Sequence, residues 1–214
     1  MVGGDGTDTL NISGQQTGST VAASNVSGIE IINVIDTTGV TLSLAGATGV
    51  TNVNSKNTTA NTNDGAGGHL NLAFTNIGST SIGLGVDNSA VGASFSFAAA
   101  AVAGTADSAT LTLNGQTGGT DTVDAGIETL NIVSTGSANT ATIAATGATT
   151  LNVSGSQTAN LGTLATATTT TSTNTAGLTA SFTAAGAITV VGGAGNDSFT
   201  RAAATADSIN GGLG

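Results

Sequence analysis

Cysteine, proline, tryptophan and tyrosine are all missing from this chain of 214 residues, and five phenylalanines are its only aromatic side chains. Without cysteine the fold uses no disulfide, even in an oxidising compartment where one would persist. With so little aromatic bulk a broad globular core is improbable. Any interior has to be narrow enough for alanine, valine, isoleucine and leucine to fill. A β-solenoid meets that condition, because each turn buries a few small side chains against the turns above and below it. Positive charge is equally scarce: Lys56 and Arg201 stand against 12 aspartates and glutamates, for a formal net charge of −10. Nucleic acid is thereby excluded as a partner, since phosphate recognition needs clustered Lys and Arg. No window approaches the roughly 18 apolar residues of a membrane span, so no membrane insertion is expected. The segment from Met1 to Leu10 lacks the basic and apolar regions of a classical signal peptide.

What the chain does contain is a short, recurring strand unit of the form Thr-Leu-Asn-apolar. It stands at Thr9–Ile12, Ile31–Val34, His69–Leu72, Thr129–Ile132 and Thr150–Val153, with looser copies at Gly49–Val53 and Ala109–Leu113. Taking the asparagine as marker, the separations are 22 residues from Asn11 to Asn33, 19 from Asn52 to Asn71 and 21 from Asn131 to Asn152. One turn therefore takes about twenty residues. Strands such as Val40–Leu44 and Thr140–Ala144 fall about half a turn away, giving two or more strands per turn. Apolar residues alternate with Thr, Ser or Asn inside these units, which places one face inward and one outward. Helix signals are nearly absent, the alanine-rich run Ser96–Ala109 being the strongest exception. The threonine-rich stretch Ala165–Asn174 reads as a strand face or a linker. The fold class expected is all-β, a parallel β-solenoid or β-helix.

A coarser repeat overlies the fine one. Gly28-Ile29-Glu30 and Gly126-Ile127-Glu128 open matching strands, and each follows a Gly-Gly, Asp-Thr segment, Gly3–Leu10 for the first and Gly118–Val123 for the second. Two homologous halves, 1–104 and 105–214, are the implied division, or else one continuous solenoid. With repeats at both ends, the chain reads as part of a longer protein.

The most specific feature is a glycine-rich nonapeptide. Gly192 to Thr200 reads G-G-x-G-x-D-x-U-x, and Gly3 to Asn11 reads it again; Ala206-Asp207-Ser208-Ile209-Asn210 is a degenerate copy, and Gly211 to Gly214 opens another. Glycines let the backbone turn with positive φ and aim bare carbonyls at one point, and the aspartate adds a charged oxygen. Such a loop suits a hard cation. The pattern is similar to the calcium-binding nonapeptide of RTX proteins, whose stacked turns form a β-roll.

Together with the Gly-Ile-Glu-Thr-Leu-Asn-Ile phrase and the Thr/Ala/Gly-rich, lysine-poor composition, these copies make the chain resemble the RTX-type bacterial surface-layer proteins over its whole length. The resemblance implies secretion by a type I route, an extracellular location at the cell surface, and RTX β-roll-like turns that need Ca2+ to fold. It also implies self-association into a two-dimensional lattice, with any contact to cell-surface polysaccharide made by other parts of the parent protein. Carried over by position, the calcium loops fall on Gly3, Gly4, Gly6 and Asp8, on Gly192, Gly193, Gly195 and Asp197, and on Gly211, Gly212 and Gly214, with Asp5, Ala194 and Asn196 at variable positions. Complete copies here are isolated at opposite ends, whereas the family often has longer runs.

Away from these loops, Asp121, Asp124 and Glu128 form the densest acidic cluster, read as a solvated turn or a further cation site that would include Asp121 and Asp124; Asp207 belongs to the degenerate copy. The single histidine, His69, has no converging partners in the sequence, so no enzyme is expected. Against the lattice reading stands a calcium-stiffened stalk or binding module of an RTX adhesin. Its ice-binding form would use Thr-x-Thr rows such as Thr110 and Thr112 or Thr168 and Thr170.

Overall fold

In the computed structural model, residues 1–15, 18–35, 39–58, 72–201 and 206–214 are described. Among the described residues the short alternating stretches become 20 strands, and the one helical piece is a single 3-10 turn at Ala99–Val102. That turn lies inside the alanine-rich run and has no side-chain cap. A run lacking capping residues and an apolar stripe gains little from helix formation here.

Ten strands stack in one parallel sheet, in chain order. They are β1 (Thr9–Ser13), β3 (Ile31–Ile35), β5 (Asn52–Lys56), β7 (Gly83–Asp87), β9 (Ser108–Asn114), β11 (Thr129–Thr135), β14 (Thr150–Gly155), β16 (Thr169–Ser172), β18 (Thr189–Val191) and β20 (Ser208–Asn210). The intervening strands build the other face. β2 (Thr20–Ala22), β4 (Thr41–Ser43), β6 (Leu72–Ile77), β8 (Ala93–Phe97), β10 (Thr120–Val123) and β13 (Thr142–Ala145) form a six-stranded parallel sheet, and β12 (Asn139–Thr140), β15 (Ala159–Leu164), β17 (Leu178–Phe182) and β19 (Ser198–Arg201) a four-stranded one. The chain is a parallel β-solenoid of about nine turns, with two strands to a turn. Most turns take 19 to 22 residues, as the ladder registers give. The ten-stranded sheet runs without a break through residue 104, because β7 pairs directly with β9.

In-register stacking lines up like with like. Leu10, Ile32, Val53, Leu84, Leu111, Ile132 and Val153 follow one another down the inner side of the long sheet. Facing them run Val21, Leu42, Phe74, Phe95, Val123 and Ala145. Phe74 and Phe95 stack with ring centroids 5.3 Å apart and planes 2° from parallel, and both are fully buried. On the outer side asparagines form amide ladders: the Asn54 Nδ2 donates to Asn33 Oδ1 and the Asn33 Nδ2 to Asn11 Oδ1, each at 2.9 Å. Asn152 donates to Asn131 in the same way at 2.9 Å. Asn54 rather than Asn52 thus continues the marker rank, since β5 enters one pleat later than its sequence copy suggests. Leu72 begins β6 on the second face, not a strand of the marker sheet; His69, Leu70 and Asn71 lie outside the described residues.

The chain leaves the long sheet through a left-handed residue, and the same position repeats along the coil: Gly14, Asn57, Asn88, Gly115 and Gly136 have φ of 65°, 51°, 49°, 69° and 71°. Only glycine and asparagine enter that region readily. The Thr-rich run becomes β16, with Thr169 and Thr171 outward and Thr170 and Ser172 buried. The outward row is therefore Thr169 and Thr171, not Thr168 and Thr170; a stretch with threonine on both faces carries no phase of its own.

Replacing Phe95 by Ala, at the centre of the stack, is expected to lower stability by ~3–5 kcal/mol. Ile209→Ala at the last rung, where the side chain is 46% exposed, should cost less than ~1 kcal/mol. Denaturant unfolding of the two variants would contradict this packing if Ile209 proved the costlier loss.

Candidate functional site

The glycine-rich copies occupy corners of the coil, and they do not share an edge. Gly192–Asp197 joins β18 on the long sheet to β19 on the other face. The Gly3–Asp8 segment leads into β1, half a turn out of phase, at the far end of the solenoid. Gly211–Gly214 follows β20 and lies one turn above Gly192–Gly195, tied by the Gly192 N–H to the Asn210 carbonyl at 2.7 Å and the Leu213 N–H to the Gly193 carbonyl at 2.8 Å. The structure therefore brings Gly192, Gly193, Ala194, Gly195, Asn196 and Asp197 together with Gly211 and Gly212. Asp207, which precedes β20, sits on the opposite edge, the one that carries Asp8.

Close approach explains the glycines. A Cβ on Gly192 would collide with Asp197 Oδ2 and with the Gly211 carbonyl, and one on Gly212 with the carbonyls of Gly192 and Gly193. Oxygens thus crowd the space between these two turns. Asp197 Oδ1 accepts the Leu178 N–H at 2.8 Å, which joins β19 to the start of β17. Its Oδ2 is buried and has no hydrogen-bond partner among the described residues. An unpartnered carboxylate oxygen among backbone carbonyls is a donor set that fits a hard cation such as Ca2+. Below this corner, the fully buried Asn174 turns the chain by accepting the N–H groups of Ala176 and Gly177 at 2.8 and 3.1 Å. Its carbonyl takes the Ala194 N–H at 3.1 Å.

The N-terminal copy has the same close contact but different bonding. A Cβ on Gly3 would collide with the Gly28 carbonyl and stand 2.7 Å from Asp8 Oδ2. Here Oδ2 accepts the Gly4 N–H at 2.7 Å, and the Asp8 N–H donates to Glu30 Oε2 at 2.8 Å. Asp5 and Gly6 are exposed, Gly6 with φ of 106°. An identical pattern recurs where sequence reading placed no site. The Gly104 N–H donates to Asp107 Oδ2 at 3.0 Å and the Asp107 N–H to Glu128 Oε2 at 2.7 Å. Asp107, one turn before Glu128, is thus the equivalent of Asp8, a role the sequence repeat had given to the Gly118–Val123 segment. The run Gly104-Thr105-Ala106-Asp107-Ser108 carried that signal, since Ala206-Asp207-Ser208 repeats its last three residues.

Asp121, Asp124 and Glu128 do not converge. No group of three or more His, Cys, Asp or Glu side chains able to hold a metal occurs among the described residues. Asp124 caps two turns, its Oδ2 accepting the Phe97 N–H at 2.9 Å and its Oδ1 the Gly126 N–H at 3.0 Å. Asp121 faces the interior of β10, fully buried, on the same side as Val123. Its Oδ1 accepts the Ala93 N–H at 2.9 Å, while Oδ2 and the nearby Gln116 Oε1 have no partner among the described residues. Burial pushes the Asp121 carboxyl up to about 7, against the opposing pull of the Ala93 N–H and the Gln116 side chain.

Compared with known proteins, the chain is matched by no family model, no curated protein and no solved structure.

The raised Asp121 value sets a pH dependence. The folded chain keeps this proton up to about 7, whereas the unfolded chain releases it near 3.8, the ordinary value for an aspartate. Its contribution to stability is complete below about pH 4 and is lost as pH rises towards about 7, on the order of 4 kcal/mol in all. In calcium-free buffer Asp121→Asn should flatten this part of the stability profile and be more stable than the parent chain at pH 8. Parallel profiles for the two proteins between pH 4 and 8 would overturn the assignment.

Proposed function

We propose that the chain is a structural segment of a calcium-dependent extracellular surface layer, secreted to the cell surface and joined to copies of itself in a two-dimensional array. It acts as a non-enzymatic building element. The observation that carries this reading is the buried, unpartnered Asp197 Oδ2 beside the Gly192 and Gly211 corners. Ca2+ bound there would supply one service, cross-linking successive turns through oxygen. The chain's own residues do the rest: Gly192 and Gly212 let the backbones approach, Asn174 fixes the turn beneath, and Asp197 ties β19 to β17. The long parallel sheet gives the stiffness a lattice element needs.

Ca2+ that binds the folded chain alone raises its stability by ~2.7 kcal/mol at a hundredfold excess over Kd. For a chain of this size that is about 5 to 10 °C in melting temperature. Asp197→Ala should abolish most of the shift, while Asp5→Ala should leave it intact. A calcium-dependent melting curve identical in Asp197→Ala would sink the site. Electron microscopy in millimolar calcium should reveal ordered sheets or tubes that dissolve on chelation; particles that stay monomeric in both would point to the adhesin stalk.

One further observation favours the binding-module alternative. The register aligns Ser108, Thr129, Thr150, Thr169, Thr189 and Ser208 in a single outward rank across six consecutive rungs. Rungs are about 4.8 Å apart, so the hydroxyls form a regular, flat row suited to an ordered surface such as ice. On that reading the chain inhibits ice recrystallisation, and Thr150→Lys with Thr169→Lys removes the effect. Growth of ice crystals unaffected by the parent chain would discard it.

A further inference from the structure

The only arginine of the chain sits in a cage of oxygens. Arg201 ends β19 and folds back across the corner that joins β17 to β18, one turn below. Its Nη1 donates to the Ala184 carbonyl at 2.8 Å and to the Phe182 carbonyl at 3.4 Å, and its Nη2 to the Gly186 carbonyl at 2.8 Å. Its Nε donates to Asp207 Oδ2 at 3.0 Å. The two charged side chains are only 9% and 11% exposed. The other Asp207 oxygen reaches down to accept the Ile188 N–H at 3.0 Å, so the carboxylate and the guanidinium together bind one corner to the next.

Three backbone carbonyls from one turn and a carboxylate from the next are the donors that oxygen-seeking divalent cations take. The Gly192–Asp197 corner, on the opposite edge of these same turns, offers donors of the same kind without a basic side chain. Guanidinium suits the Arg201 position because its planar fork can address several acceptors at fixed angles, which a lysine ammonium cannot reproduce. Its positive charge stands against a carboxylate that is only 11% exposed.

We propose that Arg201 is a tethered cation occupying a carbonyl–carboxylate cage built from Phe182, Ala184, Gly186 and Asp207. It clasps the two turns without metal, and the same cage accepts a divalent or trivalent cation once the guanidinium is removed. This corner is therefore stable to chelation in the native chain, whatever the Gly192–Asp197 corner binds.

The test compares the parent chain, Arg201→Ala, Arg201→Lys and Arg201→Ala with Asp207→Asn, by thermal unfolding in chelator and in millimolar calcium and by terbium titration. In chelator Arg201→Ala should melt several degrees below the parent, and calcium should recover part of the difference. It should also bind one more terbium ion than the parent, an ion lost again in the double variant. Because the readout is a difference between variants, it stands apart from whether Asp197 binds calcium. Equal terbium stoichiometry in parent, single and double variants, or an unchanged melting temperature in chelator, would overturn the cage. Should Arg201→Ala fail to fold, Arg201→Lys decides: intermediate stability with no extra terbium supports the cage, whereas parental stability, or an additional ion despite the retained charge, refutes it.

Discussion

Parallel, in-register pairing is the constraint from which the rest of this molecule follows. Each residue of the long sheet stands about 4.8 Å from the residue that occupies the same place in the next turn, so every property of a position is imposed on its neighbours. Apolar positions profit, as Phe74 over Phe95 does. Amides profit as well, because an asparagine has both a donor and an acceptor and can serve the turn above and the turn below. Carboxylates cannot, since a column of like charges repels itself unless something neutral or positive intervenes.

The chain answers that problem in several ways. One oxygen each of Asp121 and Asp124 accepts a backbone N–H of the preceding turn, and the second Asp124 oxygen accepts the Gly126 N–H of its own. Asp8 and Asp107 each accept a glycine N–H, and their own N–H groups satisfy Glu30 and Glu128. Asp87 pairs with Lys56 at 2.7 Å on the partly solvated outer face, and Asp207 with Arg201 in the interior of a corner. Asp197 is left with one oxygen that nothing among the described residues satisfies. The other buried carboxylate oxygen without a donor, Asp121 Oδ2, lies inside β10 on a carboxyl that burial keeps protonated up to about 7, whereas Asp197 Oδ2 stands at a corner close to the Gly211 carbonyl; that difference is why a cation belongs at this corner more than at the other acidic positions.

The fold was legible because its signals are periodic. Alternation within strands, a spacing near twenty residues and the absence of bulky side chains all point to a narrow coil, and the registers follow the Thr-Leu-Asn units closely at β1, β3, β11 and β14. Legibility failed where the pattern lost its contrast. In Thr168–Thr171 both faces carry threonine, so nothing fixes the phase, and the buried Thr170 hydroxyl without a partner is the mark of that weak choice. Around Asn52 and Asn54 two equivalent markers compete. The site was harder, because an aspartate's letter does not say whether it points outward to an ion or inward to a backbone amide. Asp121 looks like a loop ligand in the sequence and lies inside β10. Asp107 lacks the glycine spelling of Asp8 and yet repeats its bonding, since the corner needs only one N–H near the carboxylate, which Gly104 supplies.

The second face adds a departure from strict stacking. Residues 139–145 divide between two sheets: Asn139 and Thr140 pair with β15, while Thr142–Ala145 pair with β10. The backbone bonds of this segment alternate between the two neighbours, the Asn139 and Ala141 N–H groups going to the Thr158 and Asn160 carbonyls of the next turn and the Thr140 and Thr142 N–H groups to the Gln116 and Gly119 carbonyls of the preceding one, each at 2.8 Å. A cavity of about 170 Å³ opens there between Ile143, Ala145, Leu151 and Leu164. The long sheet opposite is continuous through the same turns, so the offset is absorbed on one side alone. Solenoids are close to one-dimensional stacks in which each turn contacts only its neighbours. A mismatch confined to one face then leaves the coupling of turns to the other, and here the uninterrupted β11–β14–β16 ladder carries it.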